Sequence, residues 1–196
     1  MNKILLIGAG GHTRSCIDVI EAENKFEIAG LVEKDKTVSN ATLGYPIIGH
    51  DNDLEDLRRK YSYALITLGQ IKSSEVRFKL YKILKMMEFI LPSIISPKAY
   101  ISRYAKIREG SILMHNVVVN TNAEVGRNSI INNNALVEHD ALIGNHCHIS
   151  TGAIINGGVK IGDHCFIGSG VITKQDISIA EHSIIGAGVT LKKNIN

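Results

Sequence analysis

The sequence predicts an α/β domain followed by a parallel β-helix. Short apolar runs alternate with amphipathic stretches from residue 1 to about 92, which is typical of strands and helices in turn. A period of six residues begins at Ile95 and continues along the rest of the chain. Glycine and asparagine recur at the second to fourth positions of most six-residue blocks, where a chain needs corners. We therefore place the two domains at residues 1–92 and 93–196.

The first domain is expected to be a small Rossmann-like sheet. Helices between successive strands imply parallel pairing, with the helices covering the faces of the sheet. In the last helix the apolar side chains recur at helical spacing and predict one buried face, formed by Val76, Leu80, Ile83, Leu84 and Met87. The predicted strands are 3–7, 26–32, 63–68 and 89–91, and the predicted helices are 11–23, 54–60 and 74–87.

The second domain consists of sixteen blocks of six residues that follow one another without a gap from Ile95. Fifteen of the blocks open with Ile, Leu or Val, and the fifth position is almost always small or β-branched. This pattern predicts one short strand and one corner per block, with three blocks closing a triangular coil around the first-position side chains. Coils then stack about 4.8 Å apart. Glycine and asparagine at the second to fourth positions are expected to supply positive φ at the corners.

Composition excludes several classes of protein. A net charge of +3 without a basic cluster argues against a nucleic-acid partner, although it suits a small anionic ligand. No apolar run is long enough for a membrane span, and we expect a cytoplasmic protein. Three cysteines without a CxxC motif indicate neither disulfides nor zinc. Cys147 and Cys165 are one coil apart and are expected to stack in the core, and the triplet Asn40-Ala41-Thr42 is read as a chance glycosylation sequon.

The repeat half resembles the hexapeptide-repeat acyltransferases, whose fold is the left-handed parallel β-helix. The hand is implied by this resemblance and is an exception to the right-handed crossover rule. With the opening GAGGH motif included, nearly the whole chain resembles bacterial sugar acetyltransferases. That group includes sialic acid O-acetyltransferases and N-acetyltransferases of nucleotide-linked 4-amino sugars. The resemblance implies acetyl-CoA as co-substrate, no metal, and a homotrimer with the cofactor between adjacent subunits.

The block VEHDAL holds the candidate base, because His139 stands there between two carboxylates. Histidine suits proton transfer since its ordinary pKa lies near neutrality. The resemblance implies that His139 is the general base and that Asp140 raises its basicity, with direct attack and no covalent acetyl intermediate. Glu138 is a rival for the orienting role. The alternative interpretation of the triplet is a solvated corner without a catalytic role.

The resemblance also implies where coenzyme A binds. The matching positions are His148 and the corner residues Gly158, Gly170 and Gly188. Glycine corners let the pantetheine arm approach backbone amides closely. Related proteins often end with a Gly-Val-Pro-Ala-type segment over the cofactor, whereas this sequence ends at LKKNIN. Either the chain is shortened or the far end of the cofactor is held differently.

The GAGGH motif follows a predicted strand and opens a helix, so its amides can hold an anion. As a dinucleotide fingerprint it is incomplete, because Thr13 occupies the last glycine position. Glu33, at the end of the second strand, is expected to accept from a sugar or ribose hydroxyl. A turn that binds nothing is the alternative. The resemblance implies a nucleotide sugar or sialic acid as acceptor, bound at Gly10, Gly11, His12, Glu33, Leu68 and Gly69.

A column of histidines accompanies these motifs. His146, His164 and His182 take the fourth position of their blocks, eighteen residues apart, and Asn128 continues the column one coil earlier. We expect a solvated ladder. Metal binding is the disfavoured alternative, because coils about 4.8 Å apart are somewhat far apart for two imidazoles to share one ion, although their rotamers could converge.

The favoured function is acetyl-CoA-dependent acetylation of an amino sugar for bacterial surface glycans, with the 4-amine of a UDP-linked deoxysugar as the favoured acceptor. A sugar hydroxyl remains open, because both acceptors need a base at the same place. A non-enzymatic trimeric binder of nucleotide sugars is an alternative from another class. An oxidoreductase built on GAGGH is disfavoured, since it would leave the repeats without a purpose.

Overall fold

The computed structural model describes residues 1–34 and 41–196, so Asn40 of the sequon lies outside the described residues. The described chain divides into two compact units. The first comprises Met1–Gly69 and Arg77–Pro92, and the second comprises Gln70–Val76 and Ser93–Asn196. The segment Gln70–Val76, which the sequence pattern places in the first domain, belongs to the second unit.

The described part of the first unit contains a five-stranded sheet in the order β3-β4-β2-β1-β5. All neighbouring strands are parallel except β3 and β4. The chain passes from β1 outward to β2 and β4 and returns to β5 on the other side of β1. The carboxyl ends of β1 and β5 therefore flank a topological switch point, where α/β sheets bind ligands. The strands are β1 (Asn2–Ile7), β2 (Phe26–Val32), β3 (Ala41–Thr42), β4 (Tyr45–Gly49) and β5 (Tyr63–Ile66), and the helices are α1 (Gly11–Glu23), α2 (Leu54–Lys60), α3 (Glu75–Met86) and a 3-10 turn (Asp51–Asp53).

The sequence analysis differs from the structure of this unit in its strands. The predicted strand at 89–91 is only an isolated bridge between Tyr63 and Ile90, because the segment is too short for a ladder. Strands β3 and β4 were not predicted, since Pro46 interrupts the apolar run in β4.

The predicted apolar face of α3 is only partly buried. Leu80 and Leu84 are buried, whereas Val76 is 62% and Ile83 40% exposed. Arg77 is buried instead, with 1% exposure, because its guanidinium donates hydrogen bonds to the backbone carbonyls of Ile66 and Leu68.

The second unit is a left-handed parallel β-helix. Its two-residue strands form three parallel sheets, and each strand pairs with the strand eighteen residues later. The first sheet contains β6 (Ile94–Ile95), β9 (Ile112–Leu113), β12 (Ile130–Ile131), β15 (His148–Ile149), β18 (Phe166–Ile167) and β21 (Ile184–Ile185). The second contains β7 (Tyr100–Ile101), β10 (Val118–Val119), β13 (Leu136–Val137), β16 (Ile154–Ile155), β19 (Ile172–Thr173) and β22 (Thr190–Leu191). The third contains β8 (Lys106–Ile107), β11 (Glu124–Val125), β14 (Leu142–Ile143), β17 (Lys160–Ile161) and β20 (Ser178–Ile179).

The first-position side chains form one continuous core along the axis of the helix, from Leu113 to Leu191. The single polar member, Thr173, is 1% exposed, and its hydroxyl accepts a 2.9 Å hydrogen bond from the backbone amide of Asn156. Cys147 and Cys165 are free, buried thiols of the same core, which confirms the prediction for them.

The corners obey a stricter rule than the sequence suggested. From Gly110 to Gly188, every fourth-position residue has a positive φ, between 51° and 72°. Only glycine and the short polar or imidazole residues Asn, Asp and His occupy it. Second-position glycines serve another purpose, because a Cβ on Gly126 or Gly144 would lie 2.4–2.5 Å from an atom of the next coil. The prediction of positive φ across three positions was therefore wrong at two of them.

No helix in the described ranges is long and apolar enough to cross a membrane.

We expect Ile161→Asp to prevent folding into soluble protein, because Ile161 is 4% exposed on the axis and an unpaired buried charge costs several kcal/mol. Lys160→Asp is the matched control, since the neighbouring Lys160 side chain is exposed. Soluble yield and thermal melting measure the difference. Equal melting temperatures for the two variants would contradict the assignment of inward and outward positions.

Candidate active site

The His139 corner lies between β13 and β14, and Asp140 occupies its left-handed position with a φ of 60°. The Nδ1 atom of His139 lies 2.8 Å from Oδ2 of Asp140, and each side chain is 55% exposed. The other oxygen of Asp140 accepts a 2.7 Å hydrogen bond from the amide of Asn122, one coil earlier. The carboxylate that orients the imidazole is therefore itself fixed from a second side.

Among the described residues, no hydrogen bond joins the carboxylate of Glu138 to the imidazole of His139. Its Oε2 atom accepts from the backbone N–H of His139 at 3.2 Å and from the side chain of Asn120 at 2.9 Å. Of the two carboxylates that flank His139 in the sequence, only Asp140 orients the ring.

The charge of this corner favours a basic imidazole. The hydrogen bond to Asp140 is the largest cause that raises the pKa of His139, and the charges of Asp140, Glu138 and Asp176 add to it, against a smaller opposing effect of desolvation. The hydrogen bonds from Asn122 and His139 lower the pKa of Asp140. Because the ionised Asp140 accepts from Nδ1–H, neutral His139 presents its lone pair on Nε2. That nitrogen can accept a proton.

Gly157 is a site residue that the sequence reasoning missed. A Cβ on Gly157 would lie 2.7 Å from both Cε1 and Nε2 of His139, so the imidazole rests directly on the backbone of the next coil. The signal was present in the block INGGVK, which has two glycines although its corner requires only one. The extra glycine stands eighteen residues, one coil, after His139.

The positions expected to bind coenzyme A lie in different columns. Gly158 lies one coil after Asp140 in the same column, where its amide donates to the carbonyl of His139 at 3.0 Å and a Cβ would lie 2.1 Å from Asp176. Gly170 and Gly188 share another corner column, and open space surrounds the Cβ position of each. His148 is 6% exposed on β15, and its Nδ1 lies 2.5 Å from the carbonyl oxygen of Gln70.

The positions expected to bind the acceptor converge at the switch point of the sheet. Gly8 packs against Leu68, since a Cβ on Gly8 would lie 2.9 Å from that side chain. Likewise, a Cβ on Gly69 would lie 3.6 Å from His12. The loops that follow β1 and β5 therefore meet, and Gly10 and Gly11 have open space at their Cβ positions.

Glu33 contacts the loop that carries these glycines. Its Oε2 accepts from the amide of Ala9 at 2.7 Å, and its Oε1 accepts from the amide of Lys34 at 2.9 Å. This geometry gives Glu33 a role in fixing the loop. Contact with a sugar hydroxyl stays a prediction.

Arg77 fixes the opposite side of the crevice and was also missed, because charged residues recur along this helix and its sequence pattern does not distinguish Arg77 from them. Its Nη1 donates to the carbonyls of Ile66 at 2.9 Å and Leu68 at 2.7 Å. Burial lowers the pKa of Arg77 to about 10, so it stays charged at neutral pH. The end of β5 is thus held by a buried cation.

Comparison with known families accounts for both units. The sequence model of the PglD N-terminal domain matches residues 3–84. The bacterial transferase hexapeptide model matches residues 104–139 and 140–175, and the hexapeptide repeat of succinyl-transferase matches residues 158–193. A His-to-Asn variant of perosamine N-acetyltransferase from Caulobacter crescentus, solved with CoA and GDP-perosamine, is 29% identical with a TM-score of 0.93, over 100% of this chain and 90% of that chain.

Both units of the chain thus match a hexapeptide-repeat sugar acetyltransferase family.

Two further solved structures have the same architecture. The acetyltransferase domain of PglB from Neisseria gonorrhoeae FA1090 is 27% identical with a TM-score of 0.91, over 100% of this chain and 94% of that chain. WeeI from Acinetobacter baumannii AYE is 24% identical with a TM-score of 0.73, over 97% of this chain and 96% of that chain, and shares the fold. No curated protein sequence matches significantly.

We expect Asp140→Asn to move the acidic limb of the pH–rate profile of this acetyltransferase to lower pH. We expect His139 to be the general base, which acts when neutral, so activity should rise as the pH passes the pKa of His139, which Asp140 raises above its ordinary 6.5. Asparagine tolerates the positive φ of this corner, so the backbone is retained. The measurement is kcat/KM against pH, and an unchanged midpoint would show that Asp140 does not tune His139.

We expect Gly157→Ala to reduce turnover by about tenfold or more, because its methyl group displaces the imidazole of His139 from its resting position. Gly186→Ala is the control, since nothing lies within 4 Å of its Cβ position. Steady-state rates and melting curves of both variants separate a displaced base from a damaged fold. Full activity of Gly157→Ala would show that the packing of the ring on Gly157 is irrelevant to catalysis.

Proposed function

We propose that this enzyme transfers an acetyl group from acetyl-CoA to the amine of a nucleotide-linked amino sugar in the assembly of bacterial surface glycans. The favoured acceptor is the 4-amine of a UDP-linked deoxysugar. The observation that carries the proposal is the His139–Asp140 pair at 2.8 Å on an exposed corner, with Nε2 presented as the proton acceptor. The similar perosamine N-acetyltransferase was solved with CoA and GDP-perosamine, which supports the nucleotide-sugar class but leaves the base of the nucleotide to experiment.

In the proposed reaction His139 removes a proton from the acceptor nitrogen as that nitrogen attacks the thioester carbonyl. Asp140 stabilises the imidazolium that forms, because its carboxylate already accepts from Nδ1. His139 then returns the proton to the departing thiolate sulfur, so that the products are an amide and a free thiol. Direct attack needs no nucleophile from the protein, in keeping with the burial of all three cysteines.

Acetyl-CoA is proposed to contact His148, Gly158, Gly170 and Gly188. The open space over Gly170 and Gly188 supports close approach of the pantetheine arm to their backbone. The close approach of Asp176 already explains why a glycine is needed at position 158. The open space that supports cofactor contact at Gly170 and Gly188 is therefore not found at Gly158.

The nucleotide sugar is proposed to occupy the crevice at the carboxyl ends of β1 and β5, at Gly10, Gly11, His12, Glu33, Leu68 and Gly69. Support comes from the switch-point topology and from the open Cβ positions of Gly10 and Gly11 at the start of α1. A cytoplasmic location stays a prediction.

We also propose a homotrimer, because one face of the β-helix presents an apolar stripe. Its outward side chains are eighteen residues apart, and the end members Tyr100 and Ile172 are 63% and 40% exposed. Such stripes are typical of interfaces. His139 lies shortly after β13, whose Leu136 belongs to the stripe. A second copy bound to the stripe would therefore also cover one side of the His139 corner. Sedimentation equilibrium tests this, and a monomer at assay concentrations would exclude it. The stripe consists of Tyr100, Val118, Leu136, Ile154 and Ile172.

The test is release of free thiol from acetyl-CoA with a panel of UDP- and GDP-linked amino sugars and sialic acids as acceptors. We expect release only with an amino sugar present, and a product that resists hydroxylamine, as an amide does. A hydroxylamine-labile product would identify a sugar ester instead and overturn the choice of an amine.

In the same assay His139→Ala should lower turnover by about 10²- to 10⁴-fold with an unchanged melting temperature, because only the proton acceptor is lost. His115→Asn is the control, since His115 takes the same third block position in another column. Wild-type turnover of His139→Ala would remove this residue from the mechanism.

A further inference from the structure

A small cavity lies beside the histidine column, between the segment Gln70–Val76 and two coils of the β-helix. Its volume is about 170 Å³. Pockets that hold a whole drug-sized ligand usually measure about 300–1,000 Å³, so this one suits a single chemical group. We call it the Lys72 cavity, after one of its lining residues, which include Lys72, Ser73, Ser74, His164, Phe166 and His182.

The segment Gln70–Val76, which lines one side of the Lys72 cavity, forms hydrogen bonds with the coils near both of its ends. Gln70 is 2% exposed, and its side-chain amide donates to the carbonyl of His146 at 2.9 Å. At the other end the hydroxyl of Ser74 lies 2.8 Å from Nδ1 of His164. Residues 71–73 span the gap between these two attachments and are exposed. The cavity is therefore held open by fixed hydrogen bonds.

The histidine column forms one side of the cavity and is more ordered than a solvated ladder. The rings of His146 and His164 stack at 5.0 Å, and those of His164 and His182 stack at 4.7 Å. His146 is only 6% exposed and its Nδ1 lies 3.0 Å from the amide of Asn128, whereas His182 is exposed. The prediction of a solvated ladder therefore holds only for the last ring of the column.

The ionisable groups among the described residues that line the cavity are all basic, namely Lys72, His164 and His182. Asp163 and Glu181 lie close enough to His164 to raise its pKa, but they do not line the cavity. Burial, followed by the neighbouring His182, lowers the pKa of His164 overall. The cavity therefore combines one fixed positive charge, two hydroxyls and two imidazoles that an anion would help to protonate.

We propose that the Lys72 cavity binds a phosphoryl group. Lysine is a point-charge ligand for phosphate, and serine hydroxyls and protonated imidazoles donate to its oxygens. The cavity shares no lining residue with the positions proposed to bind the sugar or acetyl-CoA. As a subsite for a phosphoryl group of CoA or of the nucleotide, it rests on the proposed function, whereas binding of inorganic pyrophosphate tests it separately. Because an anion favours the protonated form of His164, binding should strengthen as the pH falls from 8 to 6 at constant ionic strength.

The experiment is calorimetric titration of the full chain with inorganic pyrophosphate. Lys72→Ala and the double variant His164→Asn/His182→Asn should each weaken binding by about tenfold or more, since each removes charge-assisted hydrogen bonds. Asparagine suits these left-handed corners, as Asn128 of the same column has a φ of 51°. Lys160→Ala is the matched control, an exposed lysine on another face of the β-helix. His139→Ala should bind pyrophosphate as the wild type does, so this test is independent of the acetyl-transfer reaction.

Parallel titrations with CoA, dephospho-CoA and UDP identify the natural source of the group. A loss on Lys72→Ala that is seen with CoA but not with dephospho-CoA indicates the 3′-phosphate, and a loss with UDP indicates a nucleotide diphosphate. The proposal is overturned if the wild type shows no saturable binding of any of the four probes. It is also overturned if Lys72→Ala and the double histidine variant bind every probe as tightly as Lys160→Ala does.

Discussion

The eighteen-residue coil is the constraint on which the second unit depends. Each strand satisfies its backbone by pairing with the strand one coil away, and from Gly110 to Gly188 the chain turns each corner through a residue in the left-handed region. Because the coils repeat in register, residues eighteen apart come to lie directly over one another. A position in the repeat sequence thereby becomes a position in a column, as the stacked histidines of the β-helix show.

The residues that permit the corners are also the residues that carry chemistry. Left-handed φ selects Asn, Asp, His and Gly, and the same residues supply carboxylates, imidazoles and open backbone. Asp140 illustrates this double use, since it turns the chain at a φ of 60° and holds Nδ1 of His139. Stacking supplies the remaining support, with Asn122 below Asp140 and Gly157 above His139.

In the first unit the candidate site is positioned by the order of the strands and by polar side chains, without a repeat. Its crevice depends on the point where strand order reverses, and the loops there are fixed by polar groups that bind backbone. Glu33 holds the loop after β1 through the amide of Ala9, and the buried Arg77 holds the end of β5 through two carbonyls. Both charged side chains form hydrogen bonds with backbone groups, and such charge-assisted hydrogen bonds stabilise the loops that they join.

The sequence alone determined the two-domain order, most helix and strand bounds, the inward first positions and the candidate base, because hydrophobic periodicity and the hexapeptide period are local signals. It did not reveal the β3–β4 hairpin, the burial of Arg77, the seat that Gly157 gives to His139, or the attachment of Gln70 and Ser74 to the histidine column. Each of these features depends on contacts between residues that are far apart in the sequence. The sequence of a helix does not show which of its faces will bury a guanidinium. A glycine-rich block likewise does not show which of its glycines will contact an imidazole ring. Only the tertiary structure decided between Glu138 and Asp140, since both flank His139 in sequence and only one reaches its imidazole.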